Sequence, residues 1–230
     1  MLDPTGRVAL VSGASRGIGR AVTERLLAAG YAVSAALRDP SRLPDAPNLH
    51  RQHYEAEEEG AAEAWIAAAH ARFGRIDAVV NAAGINPVWR ALDADESALD
   101  AMLRVNVKAP LRVVRAAWPH LVACGDGRIV NIASLSGKRV RNPNAGYAMS
   151  KFALIAATHA LRREGWEHGI RASAFCPGFV ATDMTLAADF PRDRMSQPQD
   201  VAVLIETLLR LPGNAVMAEM LVNCRLEDML

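Results

Sequence analysis

The fold of this chain is decided by one stretch, Arg7-Val8-Ala9-Leu10-Val11-Ser12-Gly13-Ala14-Ser15-Arg16-Gly17-Ile18-Gly19. Its first six residues form a short apolar run with β-branched members, which is typical of a buried strand. The glycines allow a tight turn, and residues 20–29 have helical periodicity. This order predicts the first half of a nucleotide-binding βαβ unit, in which a helix N-terminus with free N–H groups faces a pyrophosphate.

Signals for strands and helices alternate along the rest of the chain. Apolar runs predict strands over residues 31–37, 49–56, 75–81, 127–134, 170–176 and 217–223. Helical patterns cover residues 57–73, 93–104 (with Asp93 as N-cap), 107–122, 147–167 and 198–211. No repeat or linker interrupts them. We therefore expect one α/β domain over residues 1–230, a Rossmann fold with a doubly wound parallel sheet of about seven strands flanked by helices.

Composition excludes several classes of protein. The chain has 51% hydrophobic and 22% charged residues, which is the balance of a globular domain. The formal net charge of +1 gives no field that attracts nucleic acid or an anionic membrane. The N-terminus is polar and no apolar run approaches the ~20 residues of a membrane span, so we expect neither a signal segment nor membrane insertion.

The cysteines and histidines indicate no metal site. Cys124, Cys176 and Cys224 are odd in number and widely spaced, which fits neither a disulfide framework nor a metal knuckle. The six histidines show no ligand spacing. Free thiols are typical of a reducing compartment, so we expect a cytoplasmic protein without a bound metal.

Tyr147 and Lys151 are four residues apart at the predicted start of a helix, so they lie on one face. A nearby ammonium favours the phenolate, and we expect it to lower the tyrosine pKa toward the range where proton transfer is efficient. The pair is then suited to give a proton to a developing alkoxide. Taken alone, it is more often a packing tyrosine and a solvated lysine.

Ser134 and Asn106 are two further polar residues at informative places. Ser134 ends a predicted strand, and ligands of open α/β sheets bind outside the carboxyl ends of strands. Asn106 falls inside a helical pattern, where a buried amide needs a partner. That partner is either the backbone or a catalytic water.

The end of the second strand bears on the cofactor. Dinucleotide folds often place a carboxylate there for the adenosine ribose hydroxyls, but this chain has Leu37 and Arg38. Arginine pairs bidentately with a 2′-phosphate, and Arg16 in the glycine turn is a second candidate contact. Together they favour NADP over NAD, although each arginine alone also fits a solvated loop charge.

Six features together resemble the short-chain dehydrogenase/reductases that have one Rossmann domain and no separate substrate domain. They are Gly13-x-x-x-Gly17-x-Gly19, Asn81-Ala82-Ala83-Gly84, Asn106, Ser134, Tyr147-x-x-x-Lys151 and Pro177-Gly178. Their order and separations match the family from Arg7 to about Met184. The resemblance implies hydride transfer between a nicotinamide ring and the carbonyl carbon of a small molecule.

The resemblance also implies the site residues. Tyr147 would be the general acid of reduction, Lys151 would lower its pKa and bind the nicotinamide ribose, and Ser134 would hold the carbonyl oxygen. Asn106 would position a water that links Lys151 to solvent. The implied cofactor contacts are Gly13, Ser15, Arg16, Gly17, Ile18, Arg38, Asn81, Ala82, Gly84, Tyr147, Lys151, Pro177, Gly178, Val180 and Thr182.

Within the family, the glycine turn and the segment 177–184 look like those of 3-oxoacyl-[acyl-carrier-protein] reductases. The chain departs from them in a short loop after Asp183, in the lack of a glycine pair after Val222-Asn223, and at Gly125 and His168, where carrier-protein reductases often have docking arginines. We therefore favour a general NADPH-dependent carbonyl reductase, with the oxoacyl reductase as an alternative. A non-catalytic NADPH sensor or scaffold is the alternative of another class, and an NAD-linked dehydrogenase is disfavoured by Leu37 and Arg38.

Three further expectations concern the surroundings of the site. Lys138, Arg139 and Arg141 fit either a solvated loop or the attraction of an anionic substrate. The family pairs its fourth and fifth helices across dimers, so a homodimer or homotetramer is expected. The candidates for facing the substrate are Ile85, Trp89, Ser136, Asn144, Phe179 and Met184.

Overall fold

A computed structural model describes residues 1–227, and these contain one sheet of seven strands. The strands are β1 (Val8–Ser12), β2 (Ala32–Leu37), β3 (Leu49–His53), β4 (Ala78–Asn81), β5 (Arg128–Ile132), β6 (Arg171–Pro177) and β7 (Glu219–Val222). Their order across the sheet is β3-β2-β1-β4-β5-β6-β7, and all pairings are parallel. The predicted doubly wound parallel sheet is confirmed.

Six α-helices lie among the described residues. They are α1 (Gly17–Ala29), α2 (Ala61–Phe73), α3 (Ser97–Leu103), α4 (Ala109–Ala123), α5 (Ala145–Gly165) and α6 (Pro198–Arg210). A π-helical turn, Arg104–Lys108, joins α3 to α4 without a break. Over residues 1–227, no helix combines the length and apolar character that crossing a bilayer requires.

The strand order reverses direction at β1. On one side β1 pairs with β2, with Ala9 opposite Val33, and on the other side it pairs with β4, with Ala9 opposite Ala78. In a doubly wound sheet, ligands bind outside the carboxyl ends of the strands at such a switch point. The turns after β1 and β4 therefore enclose the crevice in which a site is expected.

Residues of β1 alternate between two cores, one on each face of the sheet. Leu10 packs with Trp65 and Val113 on the side of α2 and α4. Val11 packs with Leu26 on the side of α1 and α6. Burying each such side chain contributes about 1.5–3 kcal/mol. The sheet is thus held from both faces, and its carboxyl edge is a firm support for the loops that follow.

Several helix starts differ from the prediction, and two of the differences concern the N-cap. The acidic run Glu57–Glu59 precedes α2 because Gly60, with φ of 77°, is the N-cap. Asp93 is not the N-cap of α3, which begins at Ser97. Its carboxylate accepts a hydrogen bond from the Arg90 N–H at 2.8 Å instead. β3 is also shorter than predicted and ends three residues earlier.

Candidate active site

The turn between β1 and α1 depends on glycines. Gly13 has φ of 68°, and a Cβ placed on it would lie 2.7 Å from the amide nitrogen of Ala83. A Cβ on Gly19 would lie 2.3 Å from the carbonyl oxygen of Gly13. Both distances are too short for a side chain. The absence of Cβ atoms lets α1 and the turn after β4 approach the turn after β1 from two sides.

The N-terminus of α1 opens into this turn without a side-chain cap. Its N-cap residue, Arg16, has an extended backbone and makes no capping hydrogen bond. An uncapped helix N-terminus offers free N–H groups and a positive dipole end to an anion. The Ser12 hydroxyl accepts hydrogen bonds from the Ala82 and Ala83 N–H groups at 3.2 and 3.3 Å and ties the two turns together. This arrangement fits the pyrophosphate of a nicotinamide dinucleotide.

The predicted cofactor residues of the first half of the chain lie along this crevice. Asn81 is the last residue of β4, and its amide donates to Asn131 Oδ1 at 2.8 Å within the sheet. Arg38 is exposed directly after β2. Arg16 is exposed too and donates to the Asp183 carboxylate at 2.8 Å. An exposed ion pair is weak, so Arg16 can leave Asp183 for another anion at little cost.

Tyr147 and Lys151 lie one turn apart at the start of α5, which begins two residues before the predicted start and is N-capped by Asn144. Lys151 Nζ lies 5.5 Å from the centroid of the Tyr147 ring. The ammonium donates to the Ile132 carbonyl oxygen at 2.8 Å, at the end of β5. Ser134 follows two residues later, and its hydroxyl interacts with that of Tyr147. The structure thus brings the predicted serine, tyrosine and lysine together.

Burial shifts the acid-base properties of this group. It raises the pKa of the half-buried Tyr147 to about 12, and the hydrogen bond with Ser134 acts in the opposite direction. It lowers the pKa of Lys151, which is 4% exposed, to about 8. The tyrosine shift is opposite to the predicted one. Burial disfavours the charged form of both groups and is the largest cause of each shift.

Asn106 lies in the π-helical turn and is fully buried. Its Oδ1 accepts from the Ile85 N–H at 2.9 Å, and its Nδ2 donates to the Ile85 carbonyl at 2.9 Å and to Ser150 Oγ at 3.1 Å. Of the two predicted partners, the structure shows the backbone. Gly84 lies between Asn106 and Lys151, because a Cβ there would be 3.3 Å from Asn106 Oδ1 and 3.8 Å from Lys151 Nζ. π-helical turns inside α-helices frequently mark functional sites.

The loop after β6 covers the crevice from the other side. A Cβ on Gly17 would lie 3.1 Å from the methyl group of Thr182, so this loop reaches the start of α1. The Met184 sulfur lies 4.0 Å from the Tyr147 hydroxyl. The remaining predicted cofactor residues are Pro177, at the end of β6, and Gly178, Val180 and Thr182, which lie in this loop.

The six residues predicted to face the substrate divide into two groups. Met184 does lie beside the tyrosine hydroxyl, and Phe179 stacks on Phe190 with ring centroids 5.7 Å apart in the same loop. Two others are held by side-chain hydrogen bonds, Trp89 to the Asp95 carbonyl and Asn144 to several groups described below. Ile85 and Ser136 are bonded through backbone N–H groups, to Asn106 and Ser134, so their side chains stay candidates for facing the substrate. Sequence patterns cannot show which groups of such side chains are already bonded.

Ion pairs hold all three basic residues after Ser134, and of the three only Arg141 is exposed. Lys138 pairs with Glu219 at 2.8 Å. Arg139 donates twice to Glu227, at 2.6 and 2.8 Å, and Arg141 approaches the same carboxylate at 3.3 Å. The prediction missed these pairs because the acidic partners are about 80 residues away in the sequence.

A second cluster lies at the opposite edge of the sheet. Asp77, Cys124 and Asp126 are close enough to hold a cation. However, Asp77 accepts from Arg75 at 2.6 Å, and Asp126 accepts from Arg7 at 2.8 Å. Since arginines already compensate both carboxylates, we assign this cluster a structural role.

Comparisons with known proteins agree with this geometry. The family model for short chain dehydrogenases matches residues 7–190. Agropine synthesis reductase of Rhizobium rhizogenes is 40% identical over 96% of this chain, and the chain spans 53% of that protein, about half its length. An uncharacterized oxidoreductase of Staphylococcus saprophyticus is 30% identical over 97% of this chain and 99% of its own length. The crystal structure of a short chain dehydrogenase from Burkholderia cenocepacia in complex with NADP is 30% identical, with a TM-score of 0.85 over 96% of this chain and 97% of that one.

The fold and the crevice define an α/β protein of the Rossmann type, with a glycine turn and an uncapped helix at the switch point of its sheet. The chain belongs to the short chain dehydrogenase family.

Proposed function

We propose that this protein is an NADPH-dependent reductase of a ketone or aldehyde carbonyl, with Tyr147 as the proton donor. The observation that carries the proposal is the meeting of Tyr147, Ser134 and Lys151 beside the glycine turn. The names of two similar proteins support it, since one is a reductase and the other was crystallised with NADP.

Ser134 and Tyr147 act on the substrate oxygen. The Ser134 hydroxyl donates a hydrogen bond to the carbonyl oxygen and so orients the carbonyl group. Bound NADPH would supply the hydride that the carbonyl carbon receives. The Tyr147 hydroxyl gives its proton to the alkoxide oxygen that forms. With a pKa of about 12, Tyr147 is protonated at neutral pH, and an alkoxide is a stronger base than tyrosinate.

Lys151 supports the tyrosine electrostatically. Its pKa of about 8 keeps most of the ammonium protonated at pH 7. The charge lies 5.5 Å from the Tyr147 ring and stabilises the tyrosinate left after proton transfer. Asn106 contributes indirectly, because it holds Ile85 and Ser150 on either side of the site.

The preference for NADP rests on Arg38. This guanidinium is exposed at the end of β2, where a carboxylate would repel a 2′-phosphate. Leu37, the preceding residue, is buried. Arg16 is a second contact within reach of the same end of the crevice once it leaves Asp183. The fit of the crevice to a dinucleotide rests on the glycine turn described above.

The proposal includes an assembly of two or four copies in the cytoplasm. The described part of α5 exposes Met149 and Phe152, at 49% and 44%. Beyond them lie alanines on the same face, at positions 153, 156, 157 and 160. An apolar stripe of this kind favours burial against a second copy. The cytoplasmic location rests on the number and spacing of the cysteines.

The first experiment measures oxidation of NADPH and NADH at 340 nm with a panel of carbonyl compounds that includes a 3-oxoacyl thioester and diketones. We expect turnover with NADPH and a loss of ~10²–10⁴-fold in Tyr147→Phe, the usual contribution of general acid catalysis. Tyr54→Phe is the matched control, because it removes a hydroxyl from a buried tyrosine beside Trp65.

Three results would count against the proposal, and a fourth would favour its alternative. Full activity of Tyr147→Phe would exclude this tyrosine as the donor. A preference for NADH would refute the role of Arg38. Tight binding of NADPH without turnover on any carbonyl would indicate a sensor or scaffold, and turnover restricted to the 3-oxoacyl thioester would favour the oxoacyl reductase.

A further inference from the structure

Asn144, the N-cap of α5, uses its whole amide group. Its Oδ1 accepts from the N–H groups of Tyr147 at 3.3 Å and Trp89 at 3.1 Å. Its Nδ2 donates to Asn86 Oδ1 at 2.7 Å and to the Pro87 carbonyl at 3.0 Å. A primary amide has two lone pairs and two N–H donors. All four are therefore occupied, in a residue that is only 8% exposed.

Capping explains only one of these four bonds. An N-cap needs a single acceptor for an N–H of the first turn, and serine or aspartate supplies it as well as asparagine does. The three other bonds run to the segment 86–89, which follows β4 and the Asn81–Gly84 turn. We name residues 85–89 the β4 loop. Two of the three bonds to this loop use the N–H donors of the amide, which neither serine nor aspartate has in that place.

The other end of the β4 loop is tied to the same tyrosine. Asn106 holds both backbone groups of Ile85 and donates to Ser150. The Ser150 hydroxyl in turn donates to the Tyr147 carbonyl at 2.8 Å. Asn144 thus connects the loop to the N–H of Tyr147, and Asn106 connects it, through Ser150, to the carbonyl of Tyr147.

Direct packing strengthens this connection. The Gly146 N–H donates to the Trp89 carbonyl at 3.3 Å. A Cβ on Gly146 would lie 3.3 Å from Trp89 and 2.5 Å from the Met102 methyl. The first turn of α5 and the β4 loop are therefore in contact without space between them.

We propose that Asn144 is a positioning residue that couples the β4 loop to the orientation of Tyr147. The proposal rests on the proposed function, in which Tyr147 is the proton donor. A substrate that displaces the loop then also displaces the tyrosine, so the fit of the substrate against residues 85–89 sets the rate of proton transfer and not only the affinity.

The test compares three substitutions of Asn144 with one control. Asn144→Ser keeps the helix cap, but its hydroxyl is too short to hold the loop. Asn144→Asp keeps both accepted bonds and the size of the side chain, but it has no donors. Asn144→Ala loses the cap as well. Asn142→Ser is the matched control, since Asn142 is exposed two residues away and, within residues 1–227, its Oδ1 accepts only from the Asn144 N–H.

Two readouts separate coupling from capping. Amide hydrogen exchange followed by mass spectrometry reports the β4 loop and the first turn of α5 directly. Steady-state kinetics with NADPH reports kcat and KM separately. For Asn144→Ser and Asn144→Asp we expect exchange of residues 85–89 to become at least tenfold faster, with kcat about tenfold lower and KM raised. Asn142→Ser should leave exchange and both kinetic constants as in the wild type.

Two results would overturn the proposed coupling. If Asn144→Ser and Asn144→Asp match the wild type in exchange and in kcat, while Asn144→Ala alone is impaired, the residue is only a cap and the coupling is disproved. If the wild type turns over no carbonyl, the proposed function fails, but the exchange experiment still decides whether Asn144 holds the loop. Faster amide exchange of residues 85–89 with an unchanged kcat, and an unchanged pH dependence of kcat, also overturns the proposal. In that case the loop moves without the tyrosine.

Discussion

Tyr147 and Lys151 show at the scale of single residues how burial competes with charge. The sequence predicts that a neighbouring ammonium lowers the tyrosine pKa. In the structure, burial raises the pKa of Tyr147 to about 12 and lowers that of Lys151 to about 8. Because both groups share one enclosed region, each is pushed toward its neutral form. The distance along a helix is visible in a sequence, whereas the extent of burial is not.

Lys151 gives a pH dependence of stability with a definite sign. Its pKa falls from 10.5 to about 8 on folding, so between these pH values the unfolded chain binds more protons. Stability contributed at this site therefore rises as the pH rises through that window. Relative to Lys151→Met, we expect the wild type to gain up to about 3 kcal/mol in unfolding free energy between pH 7 and 10, at ~1.36 kcal/mol per pKa unit.

Urea denaturation at several pH values measures this difference. Folded Tyr147 has a pKa of about 12 and stays protonated in this pH range, and removal of the lysine charge does not favour its ionisation, so its titration contributes equally to both proteins. Lys108→Met, at an exposed lysine, shows the effect of removing a lysine without burial. If the difference in unfolding free energy between the wild type and Lys151→Met stays constant from pH 7 to 10, this would falsify the lowered pKa of Lys151.

Asn144 and Asn106 mark the limit of prediction from single residues. The sequence places both near the site, and in the structure Asn144 accepts from the Tyr147 N–H and Asn106 donates to Ser150. However, Asn144 is predicted to face a substrate, and its amide is bonded entirely within the protein. The partners of an amide depend on loops that no local pattern defines. The hydrogen bonds of Asn144 could therefore not be predicted from the sequence.

Gly137 shows at the scale of elements how closely the turn after β5 meets α5. A Cβ on this glycine would lie 2.8 Å from the backbone C and O of Lys151 and 2.7 Å from Ile155 Cδ1. Backbone atoms cannot move aside as a flexible side chain can. We expect Gly137→Ala to lower the unfolding free energy by ~2 kcal/mol, as overpacking of a dense core does. Turnover should fall too, since Ser134 belongs to the same turn.

Gly213→Ala is the control for this substitution, because the nearest atom to its Cβ would be 3.9 Å away. Both variants are compared with the wild type by urea denaturation and by the NADPH assay. Equal stability of Gly137→Ala and Gly213→Ala would mean that the turn and α5 are not in close contact in solution.

Element boundaries were predicted best where the strand or helix signal was strong. The strands of the sheet centre were located correctly because apolar runs bounded by glycine are unambiguous. The start of α2 was wrong because three glutamates resemble a helix N-terminus, whereas Gly60 supplies the N-cap. The π-helical turn around Asn106 was not predicted, since one extra residue in a helix leaves the apolar pattern nearly unchanged.

At the scale of the whole molecule, ion pairs join charged residues that are far apart in the sequence, and the sequence alone does not reveal them. Arg139 is nearly buried against Glu227, and the same carboxylate receives Arg141 and Arg225. The Arg225 guanidinium also covers the Phe179 ring at 5.1 Å. Residues 225–227 therefore support the loop after β6, which covers the site. The order of the local motifs is enough to predict the fold, but it does not predict these contacts of residues 139, 141 and 179 with residues 225–227.

The assembly of copies is the prediction that belongs to the whole molecule. The sequence shows no stripe on the fifth helix that stands out, because most of its members are alanines. The structure places these alanines beside Met149 and Phe152 on one exposed face of α5. We expect Phe152→Asp to convert a dimer or tetramer into smaller species, because a carboxylate would be buried in the contact. Sedimentation velocity measures the change.

Leu92→Asp is the control for Phe152→Asp. Leu92 is 98% exposed in a loop, so the same type of substitution there should leave the sedimentation coefficient unchanged. A wild type that sediments as a monomer at all concentrations would rule out the proposed assembly.

β1 obtains its two neighbours at very different times during synthesis. β2 follows after a single helix, but Val8 meets Asp77, just before β4, only 69 residues later. A ribosome adds ~5–20 residues per second, so one edge of this apolar strand stays unpaired for several seconds. Unpaired strand edges are templates for aggregation. In this interval the nascent chain is most prone to aggregate through the unpaired edge of β1. The synthesis of β4, which ends at Asn81, closes the interval and places the second turn of the crevice beside the first.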